Sequence, residues 1–295
     1  MTTASPAARP GLAALWMTGA IVSFSLMAVA GRAVSGELDT FEIMMYRSFV
    51  GVVLVIGVAG LLGRLGEVTT RDLHVHGVRN LFHFTGQNLW FWAITMIPLA
   101  QVFALEFTSP IWVTLLAPLV LGERLTRMRL LAAVLGFLGI LMVARPGAGD
   151  LSPGVTAAAA SALCFAGSIL LTKRLTRTET ITCILVWLTV MQAGLGLLTA
   201  GWDGDIALPS SRTAPWLLAI GCAGLMAHLC LTNALSVAPA SVVVPMDFAR
   251  LPAIAVIGML LYGEPLDAWV VLGALVIFGA NYLNIWTETR RAPAG

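Results

Sequence analysis

Pro98 to Leu125 reads PLAQVFALEFTSPIWVTLLAPLVLGERL, an apolar run that carries Glu106, is interrupted by Pro110 and Pro118, and closes on Gly122-Glu123-Arg124-Leu125. Residues 239–266 repeat the pattern as PASVVVPMDFARLPAIAVIGMLLYGEPL. At a constant offset of 141, Pro98 meets Pro239, Glu106 meets Asp247, Phe107 meets Phe248 and Gly122-Glu123 meets Gly263-Glu264. The offset also pairs Phe24 with Phe165, Arg32 with Lys173, Gln87 with His228, Trp92 with Asn233, Ala133 with Ala274 and Phe137 with Phe278. A gap-free repeat therefore spans nearly the whole chain, and an acid recurs where an acid is expensive.

Composition sets the class. Of 295 residues, 58% are hydrophobic and 11% charged, with mean hydropathy +0.90, whereas soluble domains carry about 25% charged residues. That is the balance of a polytopic membrane protein. A net charge of +2 gives no reason to expect a nucleic-acid partner, and the basic residues lie in short clusters between apolar runs. Cys164, Cys183, Cys222 and Cys230 sit inside apolar runs with no metal-ligand spacing, so they read as small apolar side chains. No cofactor and no metal is expected.

A membrane-crossing helix needs about 20 apolar residues. The chain divides on that criterion into ten helices, at 11–32, 41–63, 77–97, 99–121, 127–144, 153–173, 181–200, 214–236, 240–262 and 267–287. The expected fold class is all-α integral membrane. Ala28-Val29-Ala30 mimics a signal-peptide cleavage site, but the run around it is longer than a signal core and has a repeat partner at 152–172. It reads as a retained helix.

Cytoplasmic loops are enriched in Lys and Arg. With the N-terminus inside, twelve of the 17 basic residues are cytoplasmic, among them Arg64, Arg71, Arg79, Arg124, Lys173 and Arg290. Three, Arg32, Arg145 and Arg212, fall outside, and Arg47 and Arg250 lie within helices. Both termini are then cytoplasmic. Five helices per repeat is an odd number, so the second half inserts inverted relative to the first, the plan of many secondary transporters with a substrate site at the repeat interface. The organisation is a tail at 1–10, a first repeat at 11–145, a second at 152–287 and a tail at 288–295.

Two five-helix halves, a Gly-Glu pair opening the last helix of each, Tyr46-Arg47-Ser48-Phe49 in the second helix and Asp247-Phe248-Ala249-Arg250-Leu251-Pro252 in the ninth together resemble the EamA-type branch of the drug/metabolite transporter superfamily. Within that branch the chain is most similar to the YddG-type amino-acid exporters. The resemblance covers about residues 11–287 and implies a multi-pass carrier of the plasma (inner) membrane for a small-molecule substrate, with a central cavity between the halves and no obligatory protein partner.

An ion at a helix centre costs about 2.5–3.5 kcal/mol on insertion scales, so Arg47, Glu106, Asp247 and Arg250 need an inward position and partners. Arg47 and Glu106 lie at similar depth and are candidate partners. Asp247 and Arg250 are three residues apart on one face. Two readings stand: structural ion pairs, or carboxylates that meet a substrate ammonium or a proton while an arginine meets a carboxylate. The third helix adds His83 and Gln87 to a polar stripe. The expected cavity set is Phe24, Arg47, His83, Gln87, Trp90, Phe103, Glu106, Phe107, Phe165, His228, Asn233, Asp247 and Arg250. Pro110, Pro118, Pro245 and Pro252 are candidate hinges, since proline removes a helical hydrogen bond and clashes with the preceding turn. His74 and His76 are expected in a wet loop.

The function expected is a secondary carrier that exports small zwitterionic metabolites, amino acids with apolar or aromatic side chains foremost. Export of cationic drugs or of another metabolite is the alternative, with an intramembrane enzyme or a non-transporting scaffold behind it. The sequence holds no HExxH, no GxSxG and no nucleotide-binding stretch, so an enzyme or a primary pump is disfavoured. Fluorescent-protein fusions at either terminus should fluoresce and alkaline-phosphatase fusions there should be inactive; active phosphatase at either end contradicts the orientation.

Overall fold

The computed structural model describes all residues except 1–8, 122–126, 145–151, 203, 239–242, 244–245 and 292–295. The described chain is helical: α1 (Pro10–Val34), α2 (Thr40–Leu61), α3 (Leu73–Met96), α4 (Leu99–Glu106), α5 (Ser109–Leu121), α6 (Arg127–Ala144), α7 (Pro153–Leu175), α8 (Ile181–Ala200), α9 (Ala214–Val237), α10 (Arg250–Tyr262) and α11 (Ala268–Arg291), with 3-10 turns at Leu65–Glu67 and Asp247–Ala249. Gly11–Val34, Thr40–Leu61, Leu99–Val120, Pro153–Leu175, Ile181–Ala200 and Ala214–Val237 are long and apolar enough to cross a membrane by length and composition. α3 falls outside that set because it carries His76, Arg79, Asn80, His83, Gln87 and Asn88, all buried. Its polar side chains face protein rather than lipid, as polar groups in spanning helices do.

The main packing pairs are α1 with α9, α3 with α7, α2 with α8 and α6 with α11. Applying the repeat maps α1–α9 onto α7–α3 and returns α2–α8 and α6–α11 to themselves. α6 and α11 cross closely at two glycines: a Cβ on Gly139 would lie 2.9 Å from Gly273 O, and one on Gly273 would lie 2.8 Å from Gly139 O.

The fourth helix is not the single helix expected at 99–121. It breaks after Glu106 and restarts at Ser109. Pro110 has no N–H to donate to the Glu106 carbonyl four residues back, and the Ser109 hydroxyl donates to it instead. The break sets the Glu106 side chain free of a regular helical surface. At the repeat-related place Asp247 occupies a 3-10 turn, and only then does α10 begin. Both acids of this repeat pair thus sit at helix interruptions.

The second Gly-Glu pair does structural work. Gly263 ends α10 at φ 63°, a left-handed conformation that glycine adopts without steric cost. The turn carries Glu264 back across the half boundary, where its carboxylate accepts from the Leu99 N–H at the start of α4 (2.9 Å) and pairs with Arg32 at the end of α1. Arg32 also donates to the carbonyls of Ile94 and Ile97 at the end of α3. In the other half Lys173 donates to Leu235 O (2.8 Å) and Ala238 O (3.2 Å), the positions 141 residues on from Ile94 and Ile97. Each half therefore ends its third-type helix under a cation from its first-type helix. The first Gly-Glu pair, Gly122-Glu123, lies outside the described residues.

Glu264→Ala should lower stability in detergent by about 2–3 kcal/mol, because a charge-assisted hydrogen bond of this kind is worth about 1.5–3 kcal/mol and Arg32 loses its counter-ion as well. Thermal unfolding of the purified chain reads it; an unchanged midpoint contradicts the latch.

Candidate functional site

Phe24, Met27, His83, Gln87, Trp90, Glu106, Phe107, Ser109, Phe165, Ser168, His228, Leu231, Asp247 and Arg250 line a cavity with about 890 Å³ of non-atom space, part of it open to the outside. Six pairs among them are related by the 141-residue offset: Phe24/Phe165, Met27/Ser168, Gln87/His228, Trp90/Leu231, Glu106/Asp247 and Ser109/Arg250. The cavity therefore lies between the two halves and is lined by both in matching places. α1, α3, the α4–α5 break, α7, α9 and the turn before α10 supply its walls.

One end is an ion cluster. A single nitrogen of Arg250, Nη2, donates to Glu106 Oε1 (2.7 Å) and to Asp247 Oδ2. Trp90 Nε1 donates to the other Glu106 oxygen (2.7 Å). The Arg250 guanidinium lies over the rings of Phe24 (4.9 Å), Phe103 (4.7 Å) and Phe107 (5.5 Å), and only 2% of the residue is exposed. Three ring faces and two carboxylates hold the charge where water does not. With both acids ionised the cluster has one negative charge in excess, a suitable seat for a substrate cation. The middle of the cavity is aromatic. His83 and His228 meet edge to face at 4.6 Å between ring centroids, His83 lies 6.2 Å from Phe165, and Phe24 meets His228 edge-on at 5.8 Å.

Not every expected residue reaches this cavity. Arg47 was a candidate partner for Glu106, but equal depth on two helices says nothing about the direction a side chain takes. It lines a smaller neighbouring cavity with Leu188, Thr189, Gln192 and His228, packs on Gly224, and donates from Nη1 to Met44 Sδ (3.6 Å). Asn233 bonds to Leu229 O on its own helix (2.8 Å) and is not in the lining. Phe103 is fully buried behind the wall, under Arg250. Pro110 is at the cavity beside the helix break, Pro118 lies inside α5, and Pro252 is exposed in the first turn of α10, where a proline interrupts nothing. Pro245 and the side chain of Phe248 lie outside the described residues.

Of the lining residues, Met17, Met27, Arg79, Ser109, Ser168, Ile169, Thr172, Leu231 and Thr232 were not anticipated. Arg79 and Thr172 close the other end of the cavity, where Arg79 Nε donates to Thr172 Oγ1 (3.0 Å). α3 starts at Leu73 rather than residue 77, and the added turn carries Arg79 and His76 into the interior; His76 is 0% exposed beside Trp187, while His74 is exposed. Trp187 bonds to Thr69 O (2.8 Å) rather than facing the cavity. The repeat offset applied to Trp90 and Arg250, both in the expected set, would have yielded Leu231 and Ser109. Apart from the cavity, His76, Glu179 and Cys183 offer nitrogen, oxygen and sulfur donors within 4.8 Å of one another, but Thr69 already bonds to both Glu179 and Cys183.

A cavity bounded by repeat-related apolar helices, with ions at helix breaks, defines a multi-pass membrane transporter. The chain belongs to the EamA-like transporter family, whose profile matches twice, at residues 11–145 and 152–286. It is 28% identical to a riboflavin transporter of Vibrio cholerae over 96% of each chain. It is 24% identical to an S-adenosylmethionine uptake transporter of Rickettsia prowazekii (93% of this chain, 92% of that one). It is 29% identical to the pseudopaline exporter CntI of Pseudomonas aeruginosa (86% and 89%). A solved crystal structure shares the fold at TM-score 0.69 and 18% identity, covering 95% of this chain and 98% of that chain. These relatives are transporters of riboflavin, S-adenosylmethionine and pseudopaline by name, so the likeness to amino-acid exporters rests on the sequence motifs alone.

Trp90→Phe removes one of the donors to Glu106, and a hydrogen bond to a charged group is worth about 1.5–3 kcal/mol. Thermal unfolding should register a loss in that range, with fold retained by circular dichroism. A variant as stable as the parent contradicts the bond.

Proposed function

We propose that the chain is a secondary carrier that moves a small metabolite bearing a flat ring and ionised or polar groups, by alternating access of the two halves 11–145 and 152–287 around the shared cavity. The observation that carries this is the lining itself: a repeat-related aromatic pair, Phe24 and Phe165, beside Gln87 and His228, with the Glu106–Arg250–Asp247 cluster at one end. Pockets for such ligands are mostly apolar with a few placed polar groups. Riboflavin and S-adenosylmethionine, named for two relatives, both combine a flat heterocycle with polar groups at a distance, which supports the ring-bearing class.

A second reading keeps free amino acids with aromatic side chains as substrates. The negative excess of the ion cluster favours it, because an ammonium would settle there. Ten membrane crossings and cytoplasmic termini in the inner membrane complete the proposal, supported by the distribution of Lys and Arg. The interruptions near Pro110 and at Asp247–Ala249 are the proposed places where half-helices rock. Direction follows whichever gradient is present; one relative is named for uptake and another for export.

Proteoliposomes holding only this chain should show saturable counterflow of labelled riboflavin, S-adenosylmethionine or phenylalanine, competed by the unlabelled compound. Phe24→Ala with Phe165→Ala should lower that flux roughly tenfold, the weight of about 1.4 kcal/mol of lost ring contact. No flux of any of the three, alongside robust flux of a quaternary ammonium drug, overturns the reading.

A further inference from the structure

Three charges inside the helical core, Glu106, Asp247 and Arg250, find one another, whereas Arg79 and Arg47 find no counter-ion among the described residues. Arg79 is 2% exposed and Arg47 is 6% exposed, and no carboxylate lies within salt-bridge distance of either among the described residues. Arg79 uses Nε on Thr172 Oγ1 (3.0 Å) and Nη1 on Asn80 Oδ1 (3.3 Å); the rest of its five N–H donors meet no acceptor among the described residues. Among the described residues Arg47 has only the Met44 sulfur as a polar partner. Arg79 lines the main cavity together with His83 and His228, and His228 also lines the smaller cavity that holds Arg47. Two like charges thus converge on one pair of imidazoles whose Nε2 atoms are buried and unpartnered.

Uncompensated cations in a membrane core are strongly disfavoured. The fold does not require them, because the positions 141 residues away are apolar: Ile220 answers Arg79, Gly31 answers Thr172 and Leu188 answers Arg47. With both acids ionised, the opposite end of the cavity carries a negative excess shared by Glu106 and Asp247 around Arg250. The rise of about 1.5 Å per residue puts Arg79 and Trp90 roughly 16 Å apart along α3, so the two ends are too distant for the ammonium and carboxylate of one free α-amino acid to reach both.

We propose that Arg79 and Thr172, backed by Arg47 behind His228, form an oxyanion subsite that receives a carboxylate or phosphate group at the far end of an elongated, ring-bearing substrate. This rests on the carrier reading. A guanidinium with unused parallel N–H groups binds such an oxyanion through paired hydrogen bonds, and the ring would lie between Phe24 and Phe165 on the way.

The test uses the detergent-purified full chain and small probes: benzoate and phenyl phosphate against the neutral isostere benzamide, at constant ionic strength, followed by thermal unfolding. Both anions should raise the melting temperature in a concentration-dependent way while benzamide does not. Arg79→Gln should weaken the anion effect roughly tenfold, as losing one charge-assisted pair implies, and should be at least as stable as the parent without anion. Arg79→Lys should restore part of the anion effect. Thr172→Val, which keeps the charge, should weaken it less and serves if Arg79→Gln does not fold. Benzamide acting as strongly as benzoate, no effect from either anion, or undiminished anion binding in Arg79→Gln overturns the subsite. Metabolite flux untouched by Arg79→Gln would overturn the subsite and leave the carrier standing; anion binding without flux of any metabolite would do the reverse.

Discussion

One arginine shared by two acids from different halves is the constraint on which the rest of this structure depends. Glu106 comes from the first repeat, Asp247 and Arg250 from the second, and a single nitrogen reaches both carboxylates. In a bilayer interior such a charge persists only when partners surround it, and here three phenylalanine rings complete the enclosure. The helix break follows from the same need. Pro110 interrupts the hydrogen-bond ladder at Glu106, Ser109 satisfies the freed carbonyl, and the acid turns toward the cavity instead of lying on a continuous helical face.

A second link between the halves lies at the Gly263-Glu264 corner. Gly263 takes the one backbone conformation that lets the chain double back, and Glu264 then closes on Arg32 and on the start of α4. Lys173 covers the matching carbonyls in the other half. The repeat thus conserves the way a first-type helix caps a third-type helix, while the cavity between them is free to differ. It does differ: Arg79 and Thr172 face Ile220 and Gly31 across the offset, so one end of an otherwise matched cavity is cationic.

Run lengths and the constant offset made the helices and their order legible, because a spanning helix needs a fixed apolar length and a repeat reuses it. Part of the site was legible for the same reason, since Glu106/Asp247, Phe24/Phe165 and Gln87/His228 are offset pairs. The Arg47–Glu106 pairing was not, because sequence depth carries no azimuth, and Gly224 draws Arg47 toward α9. Arg79 was hidden by its place at a helix start, where a charge ordinarily meets water; one extra turn of α3 buries it. The discontinuity after Glu106 needed the structure, as Pro110 by itself is compatible with a mere kink. The proposed ring-bearing substrate class draws on lining geometry that appears only when four helices and two helix breaks are assembled.

The central claim is that Glu106 and Arg250 are energetically coupled across the two halves, and a double-mutant cycle measures that directly. Unfolding free energies of the parent, Glu106→Gln, Arg250→Gln and the double variant, determined in one detergent, should give a coupling energy of about 1.5–3 kcal/mol, the range for contacting charged groups. Single effects that add to within about 0.5 kcal/mol would contradict the claim and leave the two halves joined by packing alone.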